Sequence, residues 1–190
     1  MLKDLIVKNR SYRRFKQDFP IGKQTLIGLV DLARLSPSGR NAQPLKYALV
    51  NEPDLNFKVF STLGWAAYLK DWKGPVEGDR PAAYIIIVLD KTISQTVSCD
   101  HGIAAQSILL GAVELGLGGC MLSTIRREEL AAVLHLSEQY EILLVLALGL
   151  PVENVMLEAL PESGDIKYWR DSEKGHHVPK RALKDIILDI

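Results

Sequence analysis

The sequence has 190 residues, of which 47% are hydrophobic and 24% charged, which is the size and balance of one ordinary folded domain. Its 23 basic and 23 acidic residues cancel, so bulk charge gives no reason to expect a nucleic-acid or membrane partner. The longest apolar run is too short to span a membrane, and the charged first ten residues lead us to expect no signal peptide. The only cysteines are Cys99 and Cys120, so we expect a cytoplasmic protein without a disulfide framework.

The first third of the chain combines two helical patterns with a loop, a strand and a further helix. Residues 2–7 and 24–35 predict helices, and in the second the apolar residues recur at the spacing of one helix face. That helix should end before the following proline, which leaves residues 36–44 as a loop. Residues 47–50 predict a strand, and residues 54–63 predict a short helix with a proline near its start.

The middle of the chain contains its most apolar stretches. Residues 64–80 are irregular and rich in Trp, Gly and Pro, and we interpret them as a mobile flap. Residues 82–89 (AAYIIIVL) predict a buried central strand. Residues 102–117 predict a long helix with Asp100 as its N-cap. This helix is apolar around almost its whole circumference, which is typical of burial in a core or between subunits. Residues 120–123 predict a short strand or turn.

The last third ends in a polar segment. Residues 126–134 predict an amphipathic helix, and residues 141–148 (EILLVLAL) predict a second buried strand. Residues 165–180 show little hydrophobic periodicity and need a surface to lie against, for example a partner subunit. Residues 181–190 predict a short helix or strand. Because helices and apolar strands interleave without a linker or repeat, we predict a single domain over residues 1–190, a mixed sheet with helices on both faces.

The first candidate binding segment is the basic run at residues 10–14, Arg-Ser-Tyr-Arg-Arg. Guanidinium groups bind phosphate through a planar fork of donors, and a serine hydroxyl adds a short donor, so this run suits a phosphorylated ligand. From the local sequence alone, a solvent-facing basic turn is the favoured alternative.

The second candidate is the loop at residues 36–44. Asn41 and Gln43 each carry a donor and an acceptor, which suits the edge of a polar ring, and Gly39 lets the backbone approach closely. A plain helix-to-strand loop is the alternative. A further candidate is the pair Lys180 and Arg181, which would complete an anion site if the C-terminal segment folds back.

Other chemistry is weakly supported. The glycines at residues 116–119 follow a helix and precede a strand, which is the reverse of the Rossmann order, so they predict a helix C-cap. No zinc-site spacing, HExxH or GxSxG motif occurs, and we predict no metal centre. A Cys99–His101 couple remains an alternative to a buried cysteine beside a helix-start histidine.

Taken in chain order, five segments resemble the FMN-dependent nitroreductase family. They are RSYRRF, SPSGRNAQPLKYALV, DHGIAAQSILLGAVELGLGGCMLS, EILLVLALGLP and PKRAL, and together they span nearly the whole chain. The resemblance implies an α+β fold, a three-layer αβα sandwich around a mixed, largely antiparallel sheet. It also implies an intertwined homodimer with FMN at the interface, and it makes the helix at residues 102–117 the dimerisation helix.

The resemblance also implies contacts to FMN from both subunits. Arg10, Ser11 and Arg13 are expected at the phosphate and the pyrimidine side. Leu122 and Ser123 are expected beside the ring near N5, and Lys180 and Arg181 over the phosphate. The other subunit supplies Pro37, Ser38, Gly39 and Asn41, with Gln43 near them.

The activity implied is a hydride relay from NADH or NADPH, through FMN N5, to a small-molecule acceptor such as a nitroaromatic or a quinone. No residue is implied as a catalytic acid or base, and Arg13 is expected to stabilise negative charge at N1/O2. Alternatives are family relatives that act on flavin or on halogenated aromatics, a flavin-storage protein, and a module for another phosphorylated ligand. This chain departs from many members, which have Ser in place of Gly39, Trp in place of Leu45, and Glu-Gly or Gly-Ala in place of residues 123–124. The resemblance therefore does not define the substrate or the hydrogen bond to flavin N5.

Overall fold

The most apolar stretch of the sequence forms the middle of an antiparallel sheet. In the computed structural model, which describes residues 1–173 and 175–189, strand β3 (Ala83–Asp90) is buried along its whole length. It pairs with β2 (Leu45–Val50) on one side and with β5 (Tyr140–Pro151) on the other. Beyond β5 lie β4 (Gly118–Leu122) and the short β1 (Phe15–Lys16). Strands β2 and β4 therefore lie at opposite edges of the sheet, with β3 and β5 between them.

Helices cover both faces of this sheet. Along β3, Ile85 and Ile87 pack towards α2 and α4, whereas Tyr84, Ile86 and Val88 pack towards α3 and α5, because successive strand side chains point to opposite faces. The result is a three-layer αβα sandwich, which confirms the predicted fold class. The described helices are α1 (Leu2–Lys8), α2 (Lys23–Arg34), α3 (Pro53–Ser61), α4 (Asp100–Glu114) and α5 (Arg127–Val133).

Helix α4 is buried on one side and partly open on the other. It packs so closely on α2 that a Cβ at Gly111 would lie only 2.2 Å from Leu32 Cδ1. Its remaining apolar side chains are half-buried, and Leu115, just past its end, is exposed. The helix begins at Asp100 with Cys99 as N-cap and no capping side chain, so the predicted N-cap role of Asp100 is wrong. The Asp100 carboxylate instead accepts hydrogen bonds from the hydroxyl of Ser38 and the N–H of Gly39 in a neighbouring loop.

The C-terminal part of the chain forms a second sheet that the polar sequence did not predict. Its strands are β6 (Val155–Ala159), β7 (Trp169–Arg170) and β8 (His176–Lys180), with β6 parallel and β7 antiparallel to β8. Hydrophobic periodicity did not predict these strands because they are short. Polar contacts hold them, and they lack the buried apolar face that gives a strand its alternating pattern. Residues 181–189 contain a short 3₁₀ turn at Leu183–Asp185, and the end of the predicted element, Ile190, lies outside the described residues.

Residues 64–80, predicted as a flap, form turns that contact both sheets. The Gly64 N–H donates to the Thr124 carbonyl at 2.9 Å, and the Tyr68 ring packs 5.0 Å from the Tyr168 ring. The segment thus bridges the end of β4 and the C-terminal sheet. No described helix combines the length and the apolar character needed to cross a membrane.

His177 links the strands of the second sheet. Its Nδ1 contacts the Glu158 carboxylate, its Nε2 lies 3.0 Å from Asp171 Oδ2, and its ring stacks on Trp169 with 3.9 Å between centroids. The hydrogen bonds to Asp171 and Glu158 raise the pKa of His177 above its ordinary value. The hydrogen bond from His177 lowers the pKa of Asp171.

Replacing His177 with glutamine should destabilise the protein more at about pH 5.5 than at about pH 8.5. A raised folded-state pKa stabilises the fold fully below the ordinary histidine value of about 6.5, and this stabilisation is lost as the pH rises through the raised pKa. Asp171 stays ionised across this range because its pKa is lowered. Urea unfolding at both pH values measures the difference, with the exposed His135→Gln as control. An equal loss at both pH values would contradict the ion-pair role of His177.

Candidate functional site

The basic segment at residues 10–14 crosses the β4 edge of the main sheet. Ser11 forms a parallel bridge with Gly119, and the Tyr12 N–H donates to the Gly119 carbonyl at 3.0 Å. The Tyr12 ring lies over Gly118, where a Cβ would come within 2.5 Å of the ring and 2.6 Å of Pro151. The glycine run therefore does two things. Gly116 ends the helix at φ +74°, as predicted, and Gly118 leaves room for the basic segment.

A buried carboxylate holds this segment in place. The side chain of Glu153 is 1% exposed and accepts hydrogen bonds from the backbone N–H groups of Arg13 and Arg14. It also accepts from Arg170 Nη2 at 3.1 Å. One carboxylate therefore fixes the backbone that carries two of the predicted cations. Local sequence does not predict this role of Glu153, because an acidic residue just after a strand has no local signature.

The Arg13 guanidinium contacts three groups of the same chain, the Ser11 carbonyl, the His176 ring and the Tyr168 ring. Its Nη1 donates to the Ser11 carbonyl at 3.1 Å and lies 3.2 Å from His176 Nε2, and its carbon lies 4.7 Å from the centre of the Tyr168 ring. Burial, with help from the neighbouring arginines, lowers the pKa of His176 to about 4. His176 is therefore neutral at pH 7, and its Nε2 accepts from Arg13 without neutralising the charge.

Two guanidinium donors in this segment are buried and unused. Arg10 Nη2 donates to the Ile6 carbonyl at 2.8 Å, but Arg10 Nε and Arg13 Nε have no hydrogen-bond partner within residues 1–173 and 175–189. A buried donor left unpaired costs about 1–3 kcal/mol, more when it is charged. Cationic donors with free hydrogen-bonding capacity, beside the exposed Ser11, fit an anionic ligand such as a phosphate.

The loop at residues 37–43 is organised by Asp100. Ser38 Oγ donates to Asp100 Oδ2 at 2.6 Å, the Gly39 N–H donates to Oδ1 at 3.1 Å, and the Gln43 N–H donates to Ser38 Oγ at 2.9 Å. Non-glycine residues in this loop adopt left-handed backbone conformations that cost energy and cluster at functional sites. They are Arg40, Asn41 and Gln43, with φ of 53°, 54° and 49°.

A single chain does not bring all the predicted site residues together. The loop precedes β2, whereas the basic segment lies along β4, and two strands separate these edges. Ser123 is exposed just after β4, but the Leu122 side chain is buried in the core, so Leu122 has only its backbone to offer a ligand. Lys180 and Arg181 are exposed, and Lys180 lies four residues along β8 from His176, or about 13 Å.

The chain is similar to known proteins over most of its length. A model of the nitroreductase family matches residues 6–150, which contain the basic segment, the loop and nearly all of the main sheet. A protein of Methanothermobacter thermautotrophicus, provisionally named NADH dehydrogenase/NAD(P)H nitroreductase, is 27% identical over 158 residues, covering 80% of this chain and 78% of the relative.

Solved structures share the fold at low identity. An FMN-dependent nitroreductase from Clostridium difficile R20291 aligns with a TM-score of 0.63 and 21% identity over 89% of this chain and 92% of its own. The NADPH:FMN oxidoreductase from Vibrio harveyi, complexed with NAD+, aligns with a TM-score of 0.64 and 21% identity, over 85% and 74% of the two chains. Because the family model matches most of its length and solved members share its fold, the chain belongs to the nitroreductase family.

Proposed function

We propose that this protein is an FMN-dependent NAD(P)H oxidoreductase. The observation that carries the proposal is the set of buried, unpaired guanidinium donors at Arg10 and Arg13, beside an exposed serine, in a chain of this family. The names of its relatives support the same activity: they describe an NAD(P)H nitroreductase, an FMN-dependent nitroreductase and an NADPH:FMN oxidoreductase.

The chain's own residues would bind and orient the cofactor. Arg10, Ser11 and Arg13 would hold the phosphate and the pyrimidine side of FMN, while Lys180 and Arg181 would close over the phosphate. Bound FMN supplies the hydride chemistry between NADH or NADPH and an oxidised acceptor. The neutral His176 beside Arg13 does not offset the guanidinium charge, so Arg13 would stabilise negative charge on the pyrimidine side of bound FMN.

We propose that a second copy of the chain completes each site. The separation of the loop at residues 37–43 from the basic segment supports this, because neither can reach one ligand from opposite edges of the same sheet. Helix α1 packs beside α4 and exposes Leu2, Ile6 and Val7, which is an apolar surface suited to an intertwined homodimer. Light scattering after size exclusion tests it, and a monomer with FMN bound would contradict a shared site.

The deciding experiment is the visible absorption spectrum of the purified protein, before and after anaerobic addition of NADH and then NADPH. We expect a flavin spectrum that bleaches with one of the two nucleotides, which also identifies the donor. A flavin spectrum that neither nucleotide bleaches would indicate a flavin-binding protein without turnover. No flavin, even after FMN is added back, would overturn the proposal.

Replacing Arg13 with alanine should weaken FMN binding by about tenfold to a hundredfold, the range expected for losing a charge-assisted hydrogen bond of about 1.5–3 kcal/mol. Fluorescence quenching of FMN during titration measures the dissociation constant. Arg126→Ala removes an exposed arginine and serves as the control. Unchanged FMN affinity and unchanged NAD(P)H oxidation in Arg13→Ala would remove Arg13 from the site.

A further inference from the structure

The histidine ring beside Arg13 has a single polar partner. His176 lies on β8 and is 1% exposed, and its Nε2 lies 3.2 Å from Arg13 Nη1. Within residues 1–173 and 175–189 this is the only hydrogen bond of the ring, because Nδ1 is buried without a partner. The contact joins the C-terminal sheet to the basic segment, which lies 163 positions earlier in the chain.

The direction of this hydrogen bond follows from the chemistry of arginine. A guanidinium only donates, so His176 Nε2 accepts and the ring proton lies on Nδ1. A buried Nδ1–H without a partner costs free energy. A phenyl ring of nearly the same shape would avoid this cost. What histidine adds at this position is therefore the acceptor for Arg13.

The Arg13 guanidinium is also held by two other groups. Its Nη1 donates to the Ser11 carbonyl at 3.1 Å, and its carbon lies 4.7 Å from the centre of the Tyr168 ring. The Tyr168 ring itself packs 5.2 Å from the His176 ring, so the two rings support each other. Both hydrogen bonds of the guanidinium use Nη1. Nη2 makes none to a described residue and is not fully buried, so it is the donor open to a ligand.

The partner of this guanidinium is neutral, although a buried carboxylate lies close by. Glu153 accepts from the backbone N–H of Arg13 and from Arg170 Nη2. In the part of the chain that the structure describes, it accepts no hydrogen bond from the Arg13 guanidinium. A carboxylate partner would offset the charge of Arg13, whereas a neutral imidazole fixes its geometry and leaves the charge for a ligand anion.

We propose that His176 is the positioning residue for Arg13: its Nε2 holds the guanidinium in the orientation that presents Nη2 to an anionic ligand. The inference rests on the proposed function, in which that ligand is FMN. A long side chain that is already ordered loses less conformational freedom when a ligand binds, so a fixed Arg13 binds more tightly than a mobile one. The effect of His176 passes through Arg13.

Two substitutions separate the acceptor from the ring that carries it. His176→Phe keeps a ring and removes the acceptor, and it should weaken FMN binding by about threefold to tenfold, because the ligand must then order one flexible side chain itself. His176→Gln supplies an amide oxygen as a neutral acceptor and should restore most of the affinity. Fluorescence quenching of FMN measures the dissociation constants. His135→Phe, which replaces an exposed histidine outside the site, is the control.

A double-mutant cycle distinguishes positioning from a general packing role. In an Arg13→Ala background, His176→Phe should leave the FMN dissociation constant unchanged, because the group that His176 positions is already gone. A loss of the same size in both backgrounds would overturn the proposal.

The ligand-free protein provides a second readout. Nitrogen NMR of the histidine rings at pH 7 should show His176 neutral, with its proton on Nδ1. A proton on Nε2 would overturn the proposal, because no acceptor would then face Arg13. FMN binding that His176→Phe does not weaken would overturn this inference alone. Absence of FMN binding in the wild type would instead overturn the proposed function, and this inference with it.

Discussion

Replacing Glu153 with alanine should lower the free energy of unfolding by about 3–5 kcal/mol, the cost of breaking a buried ion pair by removing one partner. The variant would leave Arg170 largely buried without its carboxylate, because the Arg170 side chain is only 12% exposed. It would also leave the N–H groups of Arg13 and Arg14 without an acceptor. For a chain of this size the melting temperature should fall by about 10 °C, which thermal unfolding followed by circular dichroism measures.

The same substitution should also weaken FMN binding, because Glu153 positions the backbone that carries Arg13. Glu153→Gln, which keeps the shape and one acceptor oxygen, should lose less stability than Glu153→Ala. Glu138→Ala, at an exposed position, is the control and should change stability by no more than about 0.5 kcal/mol. If Glu153→Ala melts like Glu138→Ala, the carboxylate does not hold the basic segment.

Replacing Asp100 with alanine should destabilise the protein by about 1.5–3 kcal/mol, the usual contribution of hydrogen bonds to a buried charged acceptor. Ser38 and Gly39 would lose their shared acceptor, and Asp100 itself is only 6% exposed. The left-handed residues of the loop persist only while their surroundings hold them. We therefore expect the loop to open locally, with faster hydrogen exchange at the Gly39 amide and weaker FMN binding.

Two measurements separate these effects. Urea unfolding gives the global loss of stability, and hydrogen exchange followed by mass spectrometry gives local opening at residues 37–43. Asp185→Ala, which removes an exposed carboxylate, serves as the control. Normal protection of the Gly39 amide in Asp100→Ala would show that Asp100 does not organise the loop.

Local sequence patterns were sufficient for the five helices and the four longer strands of the main sandwich, but not for the two-residue strand β1. The β-branched run AYIIIVLD and the run EILLVLALGL form the two central strands, and helices occur at the predicted positions with ends shifted by at most three residues. These elements depend on periodicity and propensity within ten to fifteen neighbouring residues, which are readable in one chain. The ordered motifs also identified the nitroreductase family, which the family model confirms.

Local patterns do not predict the residues that hold the candidate site in place. Glu153 contacts Arg13 across 140 positions, His176 contacts Arg13 across 163, and Asp100 contacts Ser38 across 62. The strands of the second sheet were not predicted because polar contacts hold them, such as that of His177 with Asp171, and such contacts give no hydrophobic pattern. The sequence by itself therefore determined the sandwich and the residues suited to bind a phosphate. Only the tertiary structure decided which distant carboxylates and rings hold those residues in place, because contacts between remote segments leave no periodic trace in the sequence.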